Sequence, residues 1–205
     1  MTKPKNIQEY LAKYRMAIAQ NPECGTSHYN LAVGLLGARL YDEAERELIL
    51  AIENSPSLAE AYVQLGGICL YRGDLEGCLS WNKRAVNARA GFAEGYGNIG
   101  FVNLQLGKMD EAVFALKKAL KWNPKFTQAR ANLANAYLLQ GEITESILEN
   151  KIVLEQEPLF AIAHNNLAIA YMENGEHDLA KEHLQKAIEL GYEVSPELKK
   201  EIEAL

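Results

Sequence analysis

Residues 93–126 read AEGYGNIGFVNLQLGKMDEAVFALKKALKWNPKF, and their pattern of small, apolar, glycine and proline residues returns at a constant interval along the chain. Prolines mark this interval, because Pro22 and Pro56 are as far apart as Pro124 and Pro158, and the gap between Pro56 and Pro124 is twice as long. A period between about 20 and 50 residues is the signature of a repeat architecture in which similar units stack. We therefore expect one structural unit per interval.

Each unit is predicted to be a pair of helices, because apolar residues recur three and four positions apart, as in Ala112, Leu116 and Ala119. A glycine column divides the pair, since glycine accepts the left-handed conformation that ends a helix. Proline then closes the second helix, because its ring cannot continue the hydrogen-bond ladder. A further column of small residues predicts close helix packing. The glycine column comprises Gly73, Gly107, Gly141 and Gly175, and the small column comprises Ala32, Gly66, Gly100, Ala134 and Ala168.

These residues resemble the tetratricopeptide repeat, whose units of roughly 34 residues combine an aromatic residue, Leu-Gly, a second aromatic residue and a closing proline. Tyr62-x-x-Leu65-Gly66 and Tyr96-x-x-Ile99-Gly100 carry the first part, and Leu133-Ala134-x-x-Tyr137 and Leu167-Ala168-x-x-Tyr171 carry the second. The resemblance implies an all-α, right-handed superhelical solenoid of five helical hairpins in a single domain, 1–205. The expected repeats are 25–58, 59–92, 93–126, 127–160 and 161–194, with an N-terminal half-repeat helix at 6–22 and a capping helix at 195–205.

At two positions the sequence departs from the repeat pattern, and at its C-terminal end it predicts a capping helix. Arg39 replaces the first turn glycine, so an irregular turn is expected there. Ala90 replaces a closing proline, and a tight turn at Gly91 is expected in its place, with an altered repeat angle or a hinge as the alternative. Ser195-Pro196 is a typical helix start, and Leu198, Ile202 and Leu205 would form the apolar face of the capping helix.

Composition restricts the class of function. The 205 residues carry a formal charge of -6, which argues against binding to nucleic acid because the phosphate backbone requires a concentrated basic surface. The N-terminal residues are polar and no run of about 18 apolar residues occurs, so we expect a cytoplasmic protein without membrane insertion. Cys24, Cys69 and Cys78 lack metal-ligand spacing and are expected to be free.

The sequence contains no convincing catalytic or metal motif. His28 and His164 share one repeat column and are expected to pack between helices, whereas His177 and His183 are six residues apart and do not share a helix face. The GxGxxG pattern that begins at Gly95 lies in a predicted helix without a preceding strand, so it does not indicate a dinucleotide site. We predict a non-enzyme with no catalytic residues, no metal and no cofactor.

The candidate binding residues lie on the first helices, which the resemblance places along the concave surface. One column there is an amide ladder of Asn30, Gln64, Asn98, Asn132 and Asn166. Amides offer donors and an acceptor to the main chain of an extended peptide. Asparagine is also common in this column of the family, so a purely structural role stays open. The flanking candidates are Tyr29, Val33, Val63, Tyr71, Phe101, Asn135, Asn165 and Ile169.

Charge on the same columns predicts the kind of partner. Members of the family that grip acidic tails use lysines and an arginine, whereas here Glu60, Glu94 and Glu173 occupy the surface. We therefore predict a scaffold that binds an extended, neutral-to-basic peptide of a partner protein. The alternative is a structural scaffold that self-assembles through convex or terminal surfaces, for which Trp81, Phe114 and Trp122 on second helices are the candidates. The sequence does not decide between monomer and homo-oligomer.

Overall fold

Helices account for every regular element in the part of the chain that the computed structural model describes, residues 6–204. The all-helical prediction is confirmed. The chain divides into two compact units, Met1–Asn98 (unit 1) and Ile99–Leu205 (unit 2), which are described separately. Residues 1–5 and Leu205, the last of which was predicted to complete the face of the capping helix, lie outside the described residues. The repeat count, the superhelical hand and the single domain of 1–205 stay predictions.

Unit 1 begins with α1, whose N-cap Asn6 accepts a hydrogen bond from the Glu9 N–H. Two helical hairpins follow, and a third begins with α6, which ends in unit 2. The first helices start at Gly25, Ala59 and Ala93, which are the residues where the predicted repeats start. The helices are α1 (Ile7–Gln20), α2 (Gly25–Gly37), α3 (Tyr41–Asn54), α4 (Ala59–Tyr71), α5 (Leu75–Ala88) and α6 (Ala93–Gln105).

Unit 2 repeats the hairpin and closes with a short helix. The Ser195 hydroxyl of that helix accepts a hydrogen bond from the Leu198 N–H, and Ile202 is fully buried against Leu167 and Leu184. The capping helix therefore covers the apolar surface of the last hairpin, as expected for the end of a repeat array. The helices are α7 (Met109–Trp122), α8 (Thr127–Leu139), α9 (Ile143–Gln156), α10 (Ala161–Glu173), α11 (His177–Glu189) and α12 (Pro196–Glu203).

The turn between the two helices of each hairpin has one conformation throughout. The predicted turn glycines have positive φ, between 72° and 77°. Gly91, in the connection from α5 to the next hairpin, has φ 75°, in agreement with the tight turn expected there. The expectation of an irregular turn at Arg39 is wrong: Arg39 adopts φ 60°, and the Leu40 N–H reaches the Leu35 carbonyl at 2.9 Å, as the Asp74 N–H reaches the Cys69 carbonyl. A residue with a side chain tolerates the left-handed region at a cost of about 1–2 kcal/mol, and the turn's hydrogen bonds hold it there.

The small column permits close helix contact, and the contact differs between repeats. A Cβ atom added at Gly66 would lie 2.6 Å from the Asn82 amide nitrogen, and one added at Gly100 would lie 2.4 Å from Leu116 Cγ. Asn82 and Leu116 are both buried on the second helix of their hairpin. Packing therefore favours glycine over alanine at these two positions.

In several hairpins the two helices contact each other at the same pair of repeat positions. The side chains at these positions differ from one repeat to the next. His28 Nδ1 lies 2.6 Å from Glu47 Oε2, and His28 Nε2 lies 2.8 Å from the Pro22 carbonyl oxygen. In the last hairpin, His164 Nδ1 lies 2.9 Å from His183 Nδ1. Burial, followed by the nearby His164 ring, lowers the pKa of His183. Both His28 and His164 are buried, in agreement with their predicted packing role. The other pairs are Tyr62 with Trp81 and Arg130 with Glu149.

The cysteines are free, and burial raises the pKa of Cys78 to about 11. No group of three or more metal-ligating side chains occurs between residues 6 and 204. Over the same described range, no helix combines the length and apolar character needed to cross a membrane.

Candidate functional site

The candidate site in unit 1 is the side of α2 and α4 that carries Asn30 and Gln64, here called the first-helix face. Residues three, four and seven positions apart share one side of a helix. Val33 therefore lies beside Asn30, and Gly67 and Tyr71 lie beside Gln64. Asn30, Gln64, Tyr29 and Val63 are half-buried. Each of these four side chains keeps some surface open to a ligand.

The amides of the ladder are not equivalent. The half-buried Asn30 and Gln64 side chains make no hydrogen bond to another described residue, and none of their polar atoms is fully buried, so these atoms remain accessible. The Asn98 side chain instead donates to the Asn82 Oδ1 at 3.0 Å. Asn82 in turn donates to the Cys78 carbonyl at 2.9 Å. Asn98 is thus used within the fold, as in the structural role that the sequence left open.

The apolar part of the first-helix face is exposed. Val33 is 36% exposed, Leu70 38% and Tyr71 67%, and Tyr71 stacks on Tyr41 with ring centroids 4.2 Å apart. A Cβ atom added at Gly67 would meet nothing within 4 Å. Because glycine lacks a side chain, a peptide backbone can approach the helix closely at this point. The face therefore offers an open strip between apolar side chains.

Negative charge borders one end of the face, around Tyr29. Burial raises the pKa of Tyr29, and the carboxylates of Glu60 and Glu94 raise it further. Glu60 Oε2 is buried and has no hydrogen-bond partner among the described residues. Glu94 is exposed and has no ion-pair partner within the described range. These carboxylates favour a ligand that brings hydrogen-bond donors or positive charge.

Arg89, which is outside the set of predicted site residues, affects this charge. Arg89, which follows α5, donates from Nη1 to Glu60 Oε1 at 2.7 Å, and its guanidinium lies 4.1 Å from the Phe92 ring centroid. Arg89 lies outside the columns of the first helices, and so the repeat pattern does not relate it to Glu60. Its charge offsets part of the Glu60 charge and leaves Glu94 as the uncompensated carboxylate.

In unit 2 the predicted residues fall into two groups. Phe101, Asn135 and Ile169 are half-buried, and the half-buried Asn132 accepts a hydrogen bond from Gln128 at 3.2 Å. Asn165 and Asn166 are only 7% and 5% exposed, so they offer little surface. Their role in binding, like that of the other site residues, stays a prediction.

Asn166 on α10 and Asn150 on α9 form a second asparagine pair, for which the structure shows no hydrogen bond between the two side chains. Asn166 Nδ2 and Asn150 Oδ1 are both buried without a partner among the described residues. They occupy the positions that Asn98 and Asn82 occupy two repeats earlier, where a hydrogen bond forms. The amide column is thus hydrogen-bonded to the neighbouring second helix at Asn98, whereas at Asn166 its nitrogen is buried without a partner among the described residues.

Comparison with known protein families identifies the same repeat in three parts of the chain. Three family models described as tetratricopeptide repeat match residues 11–59, 103–149 and 161–190. Comparison with curated protein sequences gives no match.

Several solved structures are similar to the chain. YrrB, described as a TPR protein with an unusual peptide-binding site, has a TM-score of 0.75 and 23% identity, over 94% of this chain and 98% of YrrB. PilF of Pseudomonas aeruginosa has a TM-score of 0.81 and 18% identity, over 95% and 88%. Cut9-Hcn1, an APC/C hetero-tetramer, has a TM-score of 0.80 and 17% identity, over 97% of this chain and 39% of the matched chain. At these identities the similarity concerns the fold.

Proposed function

The chain belongs to the tetratricopeptide-repeat family, and on this basis we propose that it is a protein-interaction scaffold that holds an extended, neutral-to-basic peptide along its first helices. The observation that carries the proposal is the first-helix face of unit 1. It combines two unpaired amides, Asn30 and Gln64, with exposed apolar side chains and an open strip at Gly67. YrrB, which shares the fold, is described as having a peptide-binding site.

The preference for a neutral-to-basic peptide follows from the carboxylates beside Tyr29. A bound basic side chain would lie near Glu94, whereas an acidic tail would be repelled by Glu94 and Glu60. The unpaired amides would hold the peptide main chain independently of its side chains. Apolar peptide side chains would pack against Val33, Leu70 and Tyr71. Together these contacts select for charge and apolar character more than for one sequence.

Selection from a random peptide library tests this function. Peptides of about a dozen residues are displayed and captured on the immobilised chain at low salt. We expect enrichment of apolar peptides with zero or positive net charge, because the face is apolar and bordered by carboxylates. A matched Gly67→Phe variant should lose the captured peptides while keeping its stability, since a Cβ atom at this exposed position meets nothing within 4 Å and the ring would occupy the strip.

Enrichment of acidic peptides, or equal capture by the Gly67→Phe variant, contradicts the proposal. Circular dichroism of the variant provides the control for folding.

A further inference from the structure

A second surface, on α7 beyond its acidic first turn with Asp110 and Glu111, has the opposite charge character. No Asp or Glu occurs between residues 112 and 141, although the whole chain has a formal charge of -6. Two aromatic side chains within this segment are strongly exposed, Phe114 at 62% and Trp122 at 56%. The basic residues of the segment are Lys117, Lys118, Lys121, Lys125 and Arg130.

Helical spacing brings these side chains together. Phe114, Lys118 and Trp122 are four residues apart and lie along one line of α7, with Lys117 and Lys121 beside them. Lys118 Nζ lies 4.4 Å from the Phe114 ring centroid. We call Phe114, Lys117, Lys118, Lys121 and Trp122 the α7 stripe. Large exposed aromatic residues surrounded by cations are typical of interaction surfaces.

Two lysines of the stripe supply positive charge that a partner could use. Lys121 is exposed and has no carboxylate within ion-pair distance among the described residues. Lys117 is exposed, its Nζ lies 5.3 Å from the Tyr137 ring centroid, and the Tyr137 hydroxyl raises the pKa of its ammonium group. Arg130, near the start of α8, is instead paired with Glu149. An acidic partner would therefore find available positive charge on α7.

The next second helix extends the apolar surface. Leu148 on α9 occupies the repeat position that Phe114 occupies on α7, and it is 58% exposed. Glu145 and Glu155 lie on the same side of α9 by helical spacing. Exposed apolar side chains thus stand beside lysines on α7 and beside Glu145 and Glu155 on α9.

We propose that the α7 stripe binds an acidic amphipathic helix of a partner protein. The two aromatic residues of the stripe are two helical turns apart, which matches apolar residues at the same spacing on a partner helix. Carboxylates along one flank of that helix would pair with Lys117 and Lys121, which lie four residues apart on one side of the aromatic line. The scaffold would then hold a neutral-to-basic peptide on its first helices and an acidic helix on α7.

The observations favour a protein helix over the other anionic partners. A nucleic acid or an anionic membrane presents negative charge across the whole contact, which Glu145 and Glu155 beside Leu148 would repel. A partner helix can instead place carboxylates against α7 and uncharged or basic side chains against α9. In a second copy of this chain, two of the acidic residues of α3, Asp42 and Glu45, are already engaged by Arg72.

Binding of designed helical peptides to the full chain tests the proposal. One labelled peptide of about 20 residues carries leucine at helix-face spacing with flanking glutamates, and its counterpart carries lysines instead. Fluorescence anisotropy at low salt should show the glutamate peptide binding at least about 10-fold more tightly, with the difference falling as salt rises. Trp122→Ser should weaken the binding by about 30-fold, the effect expected of a central aromatic anchor.

Two matched variants complete the test. Met16 on α1 is 65% exposed, so Met16→Ser removes a similar exposed side chain elsewhere and should leave the affinity unchanged. Gly67→Phe should also leave it unchanged, which separates this surface from the first-helix face. The proposal is overturned if both peptides bind equally, or if neither binds up to about millimolar concentration. It is also overturned if Trp122→Ser does not change the affinity. Capture of anionic vesicles, oligonucleotides or a second copy through Trp122 without binding of the glutamate peptide also overturns it.

Discussion

Replacing Gly66 with alanine is expected to lower the free energy of unfolding by about 2 kcal/mol. Overpacking and a disturbed hydrogen bond destabilise the fold, and the higher helix propensity of alanine offsets part of this loss. The new Cβ would lie 2.6 Å from Asn82 Nδ2. Asn82 is 1% exposed, donates to the Cys78 carbonyl and accepts from Asn98, so its amide has no room to turn away. The change therefore disturbs three helices at once.

The neighbouring glycine provides the matched control. Gly67→Ala meets nothing within 4 Å, so it should raise the stability by up to about 1 kcal/mol through helix propensity alone. Urea unfolding followed by circular dichroism measures both variants. Equal effects at the two positions would contradict the packing assigned to the small column.

Reversing the charge of Glu94 is expected to change which peptides bind. Glu94→Lys replaces attraction of a basic peptide by repulsion, and exposed ion pairs contribute about 0.2–1 kcal/mol each, so affinity should fall by up to about 10-fold at low salt. Affinity for an acidic peptide of the same apolar pattern should rise. Titration calorimetry with both peptides, at low and high salt, measures the change, and salt should remove most of it.

Glu53→Lys is the control for net charge, because Glu53 is exposed on the second helix α3 and lies away from the first-helix face. The same loss of affinity in Glu53→Lys would mean that total charge, and not the site beside Tyr29, sets the preference. Glu60 is left unchanged, since its substitution would also release Arg89.

The repeat period predicts the backbone of this protein well. The first helices begin at Gly25, Ala59 and Ala93 in unit 1, as the column alignment indicates, because caps, glycine turns and prolines act on neighbouring residues. Arg39 is the exception, since the hydrogen bonds of the turn impose a conformation that its residue type disfavours. Local signals therefore predict element boundaries, and tertiary contacts decide the exceptions.

The period predicts side-chain partners less well. It places Asn30 and Asn98 in one column, but the amide at position 98 is hydrogen-bonded because Asn82 replaces the leucine found at Leu48 and Leu116. It also does not relate Arg89 to Glu60, because one residue lies at a helix end and the other on a first helix. Residues of one sequence column thus occupy the same place on their helices. Whether each side chain is hydrogen-bonded depends on the residue that faces it from the neighbouring second helix.

The most direct test of the central claim is titration of a library-selected peptide against the Asn30→Ala/Gln64→Ala variant and the wild type. The two amides are unpaired in the free protein, so their loss should leave stability nearly unchanged. Each lost hydrogen bond to the peptide should cost about 0.5–1.5 kcal/mol, and together they should lower the affinity at least about 5-fold. Unchanged affinity in an equally helical variant would show that the peptide does not use the first-helix face and would contradict the proposed function.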